Sequence, residues 1–177
     1  MTPFESIIIK EVGNISVKGN ISYSKISNIK DIIYNCIFNG GMKPLIVTSD
    51  ITVNQYLEEL LYLHLKNNLD WFEEGMDVLN YIERDDVKHL KHDLLYNSDG
   101  NARFKLIYDN FGSIDSLVKI IDLHLLKQGC NVLITDSLTG LVGLLPIQEQ
   151  ESYMIWQKKL MSTGISIINL EDTNNTN

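Results

Sequence analysis

Cysteine is nearly missing from this chain of 177 residues, where only Cys36 and Cys130 occur, far apart. That excludes a disulfide framework and leaves no paired spacing for a zinc site, so no bound metal is expected. No apolar run approaches the roughly 18 residues that a membrane span needs, and the amino terminus lacks a basic segment followed by a long apolar stretch. The expectation is a cytoplasmic protein, neither exported nor inserted in a membrane. Positive charge is also short, with 15 Lys and Arg against 23 Asp and Glu for a net charge of -8. Affinity for nucleic acid rests largely on clustered Lys and Arg, so nucleic acid is not an expected partner. The small basic cluster of Lys88, His89, Lys91 and His92 is interleaved with Asp85, Asp86 and Asp93, and it reads as a solvated helix face.

What the chain does have is apolar content, 44% of its residues, enough for one packed domain. We place that domain at residues 1–170, followed by a polar, frayed tail over 171–177. Glu5 to Lys10 and Asn14 to Lys18 read as β, with Gly13 between them. Ile29, Ile32, Ile33, Cys36 and Ile37 recur at helical spacing, and Asn39-Gly40-Gly41 closes that helix. Pro44 to Thr48 is a short strand, and Thr52 opens a helix whose apolar face is Tyr56, Leu57, Leu60, Leu61, Leu63 and His64. Beyond it lie a helix from Asp85 to Tyr96, a turn at Asn97 to Gly100, and a strand from Phe104 to Tyr108. Asp115 to Lys127 is helical with a stripe of Leu117, Ile120, Ile121, His124 and Leu125, ending at Gly129. Glu149 to Met161 and Gly164 to Asn169 supply a last helix and strand. Strands alternating with helices over short joints predict an α/β fold, a mostly parallel sheet covered on both faces.

The segment richest in chemistry is Val132-Leu133-Ile134-Thr135-Asp136-Ser137-Leu138-Thr139-Gly140, an apolar strand that ends in a carboxylate. This is the layout of a Walker B strand, because open parallel sheets bind ligands at the carboxyl ends of their strands. Asp136-Ser137-Leu138-Thr139-Gly140-Leu141, the helix from Asp115 to Gly129, Thr48-Ser49-Asp50-Ile51-Thr52 with Gln55-Tyr56-Leu57, and the acidic turn Glu73-Glu74-Gly75 agree in order and spacing. Together they resemble the KaiC-type branch of the RecA-like ATPases, which includes the archaellum accessory ATP-binding protein. The resemblance implies a RecA-like three-layer fold and a nucleotide site built on Asp136 and Asp50.

A phosphate loop of that class needs G-x-x-x-x-G-K-[ST], in which backbone amides and Lys hold phosphate and the hydroxyl holds magnesium. The aligned segment is Gly19-Asn20-Ile21-Ser22-Tyr23-Ser24-Lys25-Ile26. Gly19 and Lys25 fit, Ser24 replaces the second glycine, and Ile26 replaces the magnesium hydroxyl. Ser27, one residue later, faces another direction on a helix. Asp50 is followed by Ile51 rather than a second acid, and Asp is one methylene shorter than Glu. Little or no hydrolysis is therefore expected, because the cation neutralises charge developing on the phosphoryl oxygens.

His64 and His124 lie on apolar helical stripes, where a satisfied, partly buried imidazole is the simpler reading. Trp71 and Trp156 read as core or interface anchors. No Ser-His-Asp or Cys-His order stands out. The favoured function is a non-hydrolysing RecA-like subunit that self-associates or docks on an active homologue, with no cofactor required and ATP or ADP as the only candidates. The alternatives are a divergent NTPase using Lys25, Asp136 and Asp50 with Ser27 or Ser24, and a recombination or helicase-loader accessory. The resemblance also implies further strands beyond Gly164 to Asn169, so that this strand would form an edge suited to pairing in a dimer.

Overall fold

The computed structural model describes residues 14–19, 30–49, 52–108, 112–136 and 138–172. Its five strands are β1 (Asn14–Gly19), β2 (Pro44–Thr48), β3 (Lys105–Tyr108), β4 (Val132–Asp136) and β5 (Ser166–Asp172). All pair in parallel, in the order β1-β5-β4-β2-β3. Parallel neighbours need crossovers, and these are the helices: α1 over residues 30–39, α2 (Val53–Asn68), α3 (Asp85–Leu95), α4 (Ile114–Asp122), α5 (Leu138–Val142) and α6 (Ile147–Ser162).

Successive side chains of a strand point to opposite faces, and two separate cores follow from that alternation. Ile46, Ile134 and Ile168 face α1, α2 and α3, where they meet Ile33, Tyr56, Leu60 and Val87. Leu45, Val47, Leu133 and Ile167 face α4, α5 and α6, where they meet Leu117, Leu141 and Tyr153. The central strands β2 and β4 are buried at every position, so their sequences are nearly continuous apolar runs rather than alternating ones. The result is the three-layer α/β arrangement expected from the sequence.

Local chemistry sets where the helices begin and end. Thr52 caps α2 with a complete capping box: its hydroxyl accepts from the Gln55 amide, and the Gln55 side chain accepts from the Thr52 amide. Ser113 caps α4 in the same sense, accepting from the Ser116 amide. The last turn of α1, Asn35–Asn39, is a π-turn, and so is the continuation of α4, Leu123–Lys127. Gly41 (φ 59°) and Gly129 (φ 73°) follow these wide turns in the left-handed conformation that side-chain-bearing residues avoid.

Three expectations need correction or limits. β5 is not an edge: as the last strand of the sheet in chain order it lies between the first strand and β4, pairing with β1 on one side and β4 on the other. The edges of the described sheet are β1 and β3. β5 also runs through Glu171 and Asp172, which the sequence assigns to the tail, since both continue the register with β1. The strand expected over Glu5 to Lys10 lies outside the described residues, as do positions 173–177 of the tail.

Candidate functional site

The site is built where β4 stops. The strand's alternation turns Ile134 and Asp136 toward α2, and the capping box at Thr52 starts α2 so that Tyr56 falls in its first full turn. There the Tyr56 hydroxyl donates to Asp136 Oδ2, with both residues essentially fully buried. A buried carboxylate is costly unless it is hydrogen-bonded, so the phenol is part of what allows Asp136 to sit inside. Thr48, in register with Asp136 on β2, is also buried, and the Ser49 amide donates to the Asp136 carbonyl at 3.3 Å. The ends of β2 and β4 are thereby closed against each other.

Gly19 is the last residue of β1 and pairs with Asp172 of β5. With β5 between β1 and β4, Gly19 and Asp136 share the carboxyl end of the sheet but stand two strand spacings apart across it and two residues apart along it, roughly 12 Å in all. Ser24, Lys25, Ser27 and Asp50 lie outside the described residues. Among the described residues, no group of three or more His, Cys, Asp or Glu side chains is arranged to hold a metal ion.

Two polar clusters were not foreseen in the sequence. On the α6 face, Thr135 donates to Asn169 Oδ1 at 2.7 Å, and the Asn169 and Gln157 amides pair reciprocally at 3.0 Å. Gln157 Nε2 also donates to the Tyr153 hydroxyl at 3.2 Å, and burial pushes that phenol's pKa up. All four residues are buried, so the network supplies the partners that these polar groups lose on leaving water. Its only signal in the sequence is that Thr135 and Asn169 are polar positions within apolar strands.

The second cluster surrounds His64, which is 2% exposed. Its Nε2 lies 3.1 Å from Asp93 Oδ2, its Nδ1 lies 3.0 Å from the Tyr34 hydroxyl, and its ring stacks on Phe38. Arg103 holds the other Asp93 oxygen at 3.1 Å and lies over the opposite partner, the Phe38 ring, at 5.0 Å. His64 is thus a satisfied buried histidine, as the apolar stripe suggests. His124 is only half-buried and sits 2.9 Å from Gln128 Oε1. Trp71 packs against Phe72 and Tyr81, under the Arg84 guanidinium, and donates to Asp86 at 3.2 Å. The Arg84 pair holds the Asp86 carboxyl down at about 2. The basic residues of α3 are exposed and interleaved with acids, as a solvated face should be.

The chain matches no family model and no curated protein. No helix among the described residues is long and apolar enough to cross a membrane.

Proposed function

We propose that this chain is a RecA-like, KaiC-type pseudo-ATPase, a regulatory or structural subunit that binds a second copy of itself or an active homologue instead of hydrolysing nucleotide. The archaellum motor's accessory subunit is one specific version. The observation that carries the reading is the engagement of Asp136: fully buried, it takes a proton donor from Tyr56 inside the fold. A Walker B carboxylate works by facing a magnesium ion shared with the phosphate loop. Here one of its oxygens is committed to a phenol, and the loop position that would share the ion is Ile26. These residues do not fit a magnesium-held triphosphate.

The test is calorimetric titration of ATP and ADP, with and without magnesium, into wild type and Lys25→Ala protein, alongside a phosphate-release assay. The expected result is no magnesium-dependent turnover. Phosphate release that requires magnesium and disappears in both Lys25→Ala and Asp136→Ala would overturn the proposal in favour of a divergent NTPase.

A further inference from the structure

His64 stands at the junction of three elements, and the direction of each of its hydrogen bonds is fixed by chemistry. An ionised carboxylate only accepts, so the proton facing Asp93 belongs to Nε2. Nδ1 is then the acceptor, and the Tyr34 hydroxyl donates to it. Asn68 Nδ2 lies 3.3 Å from the same nitrogen while donating to the His64 carbonyl at 2.8 Å. One neutral imidazole therefore joins α1 through Tyr34 and Phe38, α3 through Asp93, and the segment before β3 through Asp93 and Arg103.

We propose that His64 is a proton-operated latch that, when neutral, holds the end of α1 against α2 and α3 and, when protonated, releases it. A proton on Nδ1 sets a donor against the Asn68 amide, and turning that amide round gives up its bond to the His64 carbonyl. Tyr34 must also reverse, from donor to acceptor. The facing charges do not rescue the cation. Asp93 already serves Arg103, whose guanidinium carries its own positive charge, and the other titratable group in contact among the described residues, Tyr34, offers none. Burial accordingly lowers the imidazole below its ordinary 6.5, against the pull of Asp93. The sign follows. The native state prefers the neutral ring, so the latch contributes fully above 6.5 and weakens as pH falls below it toward the lowered native value.

Release would act on a defined place. Tyr34 and Phe38 line a polar cleft of about 460 Å³ between α1 and α2, together with Asn35, Asn39 and Asn68. Opening the latch widens this cleft and frees the end of α1. The inference stands on the His64 contacts alone and does not depend on the nucleotide reading.

The experiment is a nitrogen-15 NMR titration of the full chain from pH 8 to pH 5. The expected result is an Nε2–H tautomer at pH 7.5, a His64 midpoint below 6.5, and displacement of the amide signals of residues 34–39 at that same midpoint. Tyr34→Phe, which removes the donor to the neutral ring, should raise the midpoint by about 0.4–1 pH unit, one hydrogen bond's worth. His64→Gln should abolish the pH response of α1. An Nδ1–H tautomer, a midpoint at or above 6.5, or titration that leaves residues 34–39 unmoved would overturn the latch. If His64→Gln does not fold, an unchanged midpoint in Tyr34→Phe overturns it equally.

Discussion

Tyr56 shows how much one hydroxyl can decide. Its ring belongs to the apolar face of α2, yet its oxygen ends on Asp136, so the residue is at once core and counterpart to a carboxylate. Replacing it with Phe keeps the packing and removes the donor. We expect Tyr56→Phe to cost about 1–3 kcal/mol in urea unfolding, the range for withdrawing a partner from a buried polar group. Pairing the change with Asp136→Asn should recover part of that loss, because a neutral amide is cheaper to bury than a carboxylate. If Tyr56→Phe leaves the unfolding midpoint unchanged, the bond carries no weight and Asp136 draws its support elsewhere. The same logic separates Asp136 from Asp86, whose carboxyl is held near 2 by Arg84 yet sits in solvent, where the pair adds little.

At the scale of elements, the capping box at Thr52 does for α2 what Tyr56 does for Asp136, since it sets the start of the helix and hence the height of Tyr56 beneath β4. Thr52→Ala should destabilise the protein by about 1 kcal/mol, read as a lower thermal midpoint, while Thr52→Ser should not. Equal melting for both variants would mean that tertiary packing alone fixes that end. Much of this level was legible beforehand. Pro44 to Thr48, the Thr52 cap, the Asp85 helix and the strand ending at Asp136 match the structure nearly residue for residue, because each is bounded by a cap, a glycine or a change of period. The π-turns over Asn35–Asn39 and Leu123–Lys127 were not legible, since widening a last turn by one residue leaves the apolar stripe intact. Nor were the partners of His64. The stripe marks His64 as buried, but Tyr34, Asp93 and Arg103 come from separate segments that only packing brings together. Of the candidate site, only Asp136 and Gly19 fall among the described residues, and the pairing of Asp136 with Tyr56 leaves no trace in local sequence.

At the scale of the molecule, the two cysteines report on the whole fold. Both are buried, one in each core, and burial alone pushes the Cys36 thiol up to about 12 while also raising Cys130. A thiolate is the reactive form, so neither should react with Ellman's reagent at pH 8 in the native protein, and both should react at once in denaturant. Rapid labelling of one cysteine alone would show that its layer opens independently of the other. The sheet order has a further consequence for how the molecule is made. Within the described sheet, β1 is synthesised first and its one neighbour, β5, is synthesised last. At ribosomal rates of about 5–20 residues per second, β1 waits roughly eight to thirty seconds for its partner to leave the ribosome. The core of β2, β3 and β4 can meanwhile assemble around its own helices, so the nascent chain should pass through a stage in which β1 is still undocked and open to other contacts.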